Sequence, residues 1–153
     1  MDLIKCFVLL FISGCVATTP SEDTGSWRPP TIPAVEAKLI AVEVVGIFTL
    51  LPQHDPMSTT IQISPSTNAL GGSLEGEFVK AGYGIQRVTG DQGGNYMQYS
   101  VAWEETDHAY RISVEVGIGR MSVKREYSAT ATTDKYIPTS DYVVSGKEIV
   151  SGQ

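Results

Sequence analysis

The most regular part of the chain lies in its second half, where apolar and polar side chains alternate. Met97, Tyr99, Val101 and Trp103 alternate with Gln98, Ser100 and Ala102, and Tyr110, Ile112, Val114 and Val116 alternate with Arg111, Ser113 and Glu115. Met121, Val123 and Tyr127 continue the pattern. A period of two sends successive side chains to opposite faces, so these segments predict three antiparallel strands, each with one buried and one wetted face. The polar stretch 104–108 and a turn at residues 117–120 separate them, and a last short strand is expected near residues 142–144.

Upstream the period changes. Residues 32–51 are strongly apolar, broken by Glu36, Lys38, Glu43 and Thr49, with Pro33 suited to a first helical turn and Pro52 to a stop. Glu36 and Glu43, seven apart, share one helical face, which predicts a mostly buried helix. The β-branched run Val42, Val44, Val45 and Ile47 keeps a strand as the competing expectation. Ile61 and Ile63 mark a strand over 59–64. A helix over 64–82 follows from a Ser/Thr start, Leu70, Leu74 and Phe78 at a spacing of four, and Gly82 as a left-handed stop. Gly71, Gly72 and Gly76 each cost such a helix about 1 kcal/mol against alanine, so the Leu/Phe stripe must hold it by packing. A strand over 83–88 and a glycine-rich loop over 90–95 complete the series. The expected fold is α+β: an apolar helix, a strand-helix-strand unit, then an antiparallel β-meander, all within residues 32–145.

The amino terminus does not belong to that fold. Cys6, Phe7, Val8, Leu9, Leu10, Phe11 and Ile12 form an apolar run behind a start carrying Lys5, far short of the roughly 20 residues that span a bilayer. Ile12, Ser13, Gly14 and Cys15 follow, which resembles the lipobox of bacterial lipoproteins. The expectation is a signal peptide over 1–14, removed by cleavage, and a diacylglyceryl group on Cys15, with acyl chains such as palmitate stabilising insertion by about 0.8 kcal/mol per buried CH2. Val16, rather than aspartate, after the cysteine points to an outer-membrane destination facing the periplasm. Residues 15–31 are rich in Thr, Ser, Pro and acidic side chains and are expected to form a lipidated tether, with Trp27, Pro29 and Pro30 as a docking peptide the alternative. Residues 146–153 are expected to be a flexible tail.

Composition narrows the partners. A chain of 153 residues with 42% hydrophobic content can bury one modest core. Its formal charge is −6 and no Lys/Arg cluster occurs, which argues against direct nucleic-acid binding and against electrostatic attachment to anionic lipid. Once Cys6 leaves with the signal, Cys15 is the sole thiol, so neither a disulfide within the chain nor a cysteine metal site can form.

Candidate chemistry is sparse. His54 beside Asp55 and His108 beside Asp107 are expected in exposed polar turns, and neither has the paired spacing of a zinc helix. Glu104, Glu105 and Asp107 lack the glycine and terminal glutamate of a calcium loop. The glycines at 82, 84 and 90–94 form no phosphate-binding pattern, and no serine sits in a nucleophile elbow. No catalytic residue, metal ligand, cofactor or small-molecule substrate is therefore expected. Tyr96, Tyr99, Trp103, Tyr110, Tyr127, Tyr136 and Tyr142 divide between core and a protein-docking surface, where rings bury area while keeping a polar tip.

The order of these features carries a family likeness. Asn68-Ala69-Leu70 leads through Glu77-Phe78-Val79-Lys80-Ala81-Gly82-Tyr83 to a glycine-containing gap. Tyr110-Arg111-Ile112-Ser113-Val114-Glu115-Val116-Gly117, Met121-Ser122-Val123-Lys124-Arg125-Glu126-Tyr127-Ser128-Ala129, Pro138 and Tyr142-Val143 follow. Over roughly residues 32–145 the chain resembles the TrbH family of conjugal-transfer lipoproteins, accessory parts of type IV secretion systems. The resemblance implies an envelope component that contributes to a transfer channel through contacts with other channel subunits, and it carries over no catalytic residue. A pilotin or secretin-associated lipoprotein is the neighbouring alternative, and a periplasmic binding module for a small ligand or glycan is the alternative from another class.

Overall fold

The first helix, α1 (Ala34–Phe48), begins directly after Pro33, whose carbonyl accepts the first intrahelical bond from Ala37 N at 2.8 Å. A computed structural model of the chain describes residues 31–106, 109–130 and 135–146. In α1 the buried positions are Glu36, Ala37, Ile40, Ala41, Val44, Val45 and Phe48. Adjacent pairs repeat every three to four residues, a period that only a helix can bury on one side, so tertiary packing overrides the strand preference of the valines. Thr49 closes the helix through its hydroxyl on Gly46 O at 2.7 Å, and Pro52 opens a single 3-10 turn, Pro52–His54.

The strand-helix-strand unit is β1 (Thr60–Ile63), α2 (Ala69–Lys80) and β2 (Gly84–Arg87), with β1 and β2 parallel and Ile61 opposite Ile85. The helix starts later than the sequence suggests. Asn68, not a serine or threonine, is the cap, its Oδ1 accepting from Gly71 N at 2.8 Å. Ser64 and Ser66 are drawn instead to the hydroxyls of Tyr96 and Tyr99, at 2.9 and 2.8 Å. Gly82 ends α2 at φ +94°, as its left-handed role requires.

The meander is β3 (Met97–Thr106), β4 (Ala109–Ile118) and β5 (Met121–Thr130), paired antiparallel without a break. Its second hairpin is tighter than expected. Gly117 and Ile118 stay in β4, with Ile118 fully buried, and only Gly119 and Arg120 turn the chain. Gly119 has φ +59°, and a Cβ there would stand 2.9 Å from Gly94 O. Two short strands, β6 (Ile137–Pro138) and β7 (Val143–Gly146), both lie antiparallel on β5. β6 carries no sequence signal because two residues, one of them proline, have no periodicity.

One core joins the two helices, β1 and the meander. Phe48 of α1 meets Phe78 of α2 with ring centroids 5.8 Å apart, and Phe78 meets Tyr83 edge to face at 5.2 Å. Beneath them lie Ile112, Val114, Val116, Ile118, Val123 and Tyr127 from the inner face of the sheet. The buried row fades along β3: Met97 is buried, Tyr99 and Val101 are half-buried, and Trp103 is 45% exposed. Gln62 bridges Tyr96, which joins the parallel pair to the root of the meander.

Candidate functional site

The glutamates of α1 are turned toward the sheet and its carboxyl-terminal flank. Glu43 Oε2 accepts from Arg125 Nη1 at 2.9 Å, from Tyr127 Oη at 3.1 Å and from Tyr142 Oη at 3.1 Å. Arg125 also donates to Tyr142 Oη at 2.7 Å and, through Nε, to Ser140 O at 3.1 Å. Its guanidinium lies 4.2 Å from the Tyr142 ring centroid. Seven residues earlier, Glu36 Oε2 accepts from Tyr136 N at 3.1 Å. Burial, and then the Glu43 carboxylate, hold the Tyr127 and Tyr142 hydroxyls above the usual phenol range, so both remain donors. The cluster is a clamp that fastens α1 to β5 and to the chain leading into β7. Chemically it is a structural knot, with three donors converging on one carboxylate oxygen, Oε2.

His54 departs from the exposed turn expected for it. It is 4% exposed, its ring stands edge-on to Phe48 at 5.6 Å, and neither ring nitrogen has a hydrogen-bond partner. Burial pushes its pKa down, so the imidazole is neutral near pH 7. Tyr83 donates to the His54 carbonyl at 2.7 Å. Asp55 points the other way and caps the following turn, accepting from Met57 N and Ser58 Oγ, both at 3.2 Å. No hydrogen bond therefore joins the Asp55 carboxylate to the His54 ring. The residue pattern around 54 could not reveal this, since the ring packs edge-on against Phe48 of α1.

Among the described residues, no three His, Cys, Asp or Glu side chains gather as a metal site. Glu104 is exposed on β3. Cys15, His108 and Asp107 lie outside the described residues, as does the side chain of Glu105. The tyrosines are mostly structural: Tyr127 and Tyr136 are buried, Tyr96 bonds Ser64, and Tyr99 accepts from Asn68 Nδ2 at 2.8 Å. Among the described residues, Trp103 is the aromatic left on the surface.

Two surfaces remain available for contact. The outward side of α1 presents Val35, Leu39 and Val42 in one helical stripe, continued past Gly46 to Leu50, with Lys38 its single full charge. Val35 and Leu50 are 70% and 75% exposed. The second is the outer edge of β3 beyond its start: β1 adjoins that edge where Gln62 bridges Tyr96, and no named strand among the described residues pairs with the remainder. The other face of the sheet is polar, with Glu104 opposite Arg111 and Glu115 opposite Lys124. No helix among the described residues is long and apolar enough to cross a membrane.

Set against known proteins, the chain matches the family model of the conjugal transfer protein TrbH over residues 18–148, a span that contains every element described above. Neither the curated proteins nor the solved structures give a match.

Proposed function

The chain belongs to the TrbH family of conjugal transfer proteins, and from that premise we propose that it is an accessory subunit of the transfer apparatus, a type IV secretion system, held in the outer membrane by lipid on Cys15 and acting through protein-protein contacts in the periplasm. Its work is structural. Lipid fixes Cys15, the stretch 16–31 sets a reach of about 20 to 24 Å for a flexible chain, and the α+β domain is displayed within that radius. Tethering raises the effective concentration of the domain at its partners, so a modest contact suffices.

The observation that supports a protein contact is the outward face of α1. Val35, Leu39, Val42 and Leu50 expose a run of apolar area that water disfavours and that another channel subunit would cover. The position of α1 argues for the same role, since among the described residues it is the element nearest in sequence to the expected anchor.

The test is crosslinking in the native donor cell followed by recovery of the protein, comparing the unaltered chain with Cys15→Ala. Recovery of transfer-channel subunits from the outer-membrane fraction by the first and their loss with the second is the expected result. Labelled palmitate should enter the first and not the second. An unaltered chain that fractionates with the membrane yet brings down no transfer subunit would sink the reading.

A further inference from the structure

The segment between α1 and β1 is held in place by very little. Of residues 52–58, Pro52, Gln53, Asp55, Met57 and Ser58 are exposed, Pro56 is half-buried, and His54 alone is buried. The backbone bonds here stay local, from His54 N to Leu51 O at 2.9 Å and from Ser58 N to Asp55 O at 3.1 Å. Among the described residues a single hydrogen bond ties this turn to a distant element, from Tyr83 Oη to His54 O. The side chain that seats the turn is therefore the His54 imidazole, lodged edge-on against Phe48. A phenyl ring could seat it at any pH, whereas an imidazole does so only while neutral. Neither ring nitrogen reaches water or a hydrogen-bond partner. A proton added there would make a buried cation with two unsatisfied donors.

We infer that residues 52–58 form an acid-released latch: neutral His54 plugs the core, and its protonation expels the ring, freeing the turn from Tyr83 and uncovering Phe48 while both helices and the meander stay folded. Only the open turn holds the proton, because water then accepts from both N–H groups. A segment with so little buried surface opens at less cost than the domain unfolds. Above pH 6.5 neither form binds the proton and the latch rests closed. Below it the open ring, at its ordinary 6.5, takes up a proton that the closed ring refuses. The ratio of open to closed turn therefore rises about tenfold by pH 5.5 and about a hundredfold by pH 4.5. No charged group around the ring sets this response. Glu36 and Glu43 of α1 bond to Tyr136 and to Arg125, and Glu77 and Lys80 at the end of α2 pair with each other. Burial is what lowers the His54 pKa. Asp55 accepts from Met57 N and Ser58 Oγ within the turn. The Tyr83 hydroxyl, raised by burial and then by Asp55, stays protonated throughout.

The experiment is amide hydrogen exchange read by mass spectrometry on the detergent-solubilised full chain between pH 7.5 and pH 4.5, each rate divided by the intrinsic rate at that pH. Protection over residues 54–59 should fall about tenfold by pH 5.5 and about a hundredfold by pH 4.5, while β4 keeps its protection. In His54→Phe the same segment should stay protected across the range. That variant retains Asp55, so any contribution from its carboxyl cancels in the comparison. Tyr83→Phe should lower protection of the segment at every pH and keep the acid slope, since it removes the clasp and leaves the plug. Protection that does not change with pH overturns the latch. So does a loss shared equally by β4, which would be unfolding of the whole domain, or an unchanged acid slope in a folded His54→Phe. If His54→Phe does not fold, the comparison of residues 54–59 with β4 in the unaltered chain and in Tyr83→Phe decides. The outcome is independent of whether Cys15 carries lipid and of any transfer partner.

Discussion

His54 couples one residue to the stability of the whole domain. Its imidazole is buried without a hydrogen-bond partner and its pKa lies below the ordinary 6.5. Above pH 6.5 the folded and unfolded states both hold it neutral, so the stability associated with that state is fully present. As pH falls below 6.5 the unfolded chain takes up a proton that the folded chain refuses, and stability is lost at up to about 1.4 kcal/mol per pH unit until the folded pKa is reached. Urea unfolding of His54→Phe should show a shallower loss between pH 7 and pH 5 than the unaltered chain, and equal slopes would show that His54 is not the group responsible. At alkaline pH the sign reverses. The raised Tyr127 and Tyr142 hydroxyls contribute stability that is complete below pH 10 and declines above it, as the unfolded state ionises first.

At the scale of elements, α2 and α1 make separable predictions. α2 carries three glycines whose surroundings differ. A Cβ at Gly76 would meet open space, whereas one at Gly71 would overlap the side chains of Ser66 and Tyr99. Gly76→Ala should therefore stabilise the domain by about 0.5 to 1 kcal/mol, the helix-propensity difference, and Gly71→Ala should destabilise it, both read from denaturant midpoints. The Leu70, Leu74 and Phe78 stripe was enough to announce this helix, but its start was hidden because Ser64 and Ser66 have tertiary partners that outcompete capping. α1 is fastened by Glu43. Glu43→Ala leaves Arg125 and two tyrosine hydroxyls without their acceptor, at a cost of about 1 to 2 kcal/mol given the partial exposure of the pair. A double-mutant cycle with Arg125→Ala should return a coupling of at least about 0.5 kcal/mol. A coupling near zero would mean that the clamp follows the packing of α1 rather than sustaining it.

For the whole molecule, the consequence of one core beneath two helices and a meander is that contact surfaces can be altered without unfolding it. Leu39→Lys sits on the outward face of α1, so it should change stability by less than about 0.5 kcal/mol while abolishing crosslinks to other transfer subunits. Retained crosslinks in a folded Leu39→Lys chain would remove α1 from the interface. The alternation of Tyr110 through Val116 and of Met121 through Tyr127 determined the meander by itself, because a period of two buries one face whatever lies above it. The Leu/Phe stripe determined α2, and Gly82 its end, for equally local reasons. The family likeness was legible too, carried by structural residues that recur in order, and the match over residues 18–148 agrees with it. Tertiary structure alone decided the rest. It buried His54 and turned Glu36 and Glu43 inward onto Tyr136 and Arg125, whereas the helix over residues 34–48 is the one expected from the sequence. It also set both β6 and β7 on β5. The two glutamates meet partners about 80 to 100 residues away in the chain, and the periodicity of a segment records only which side it buries, never what will be waiting there.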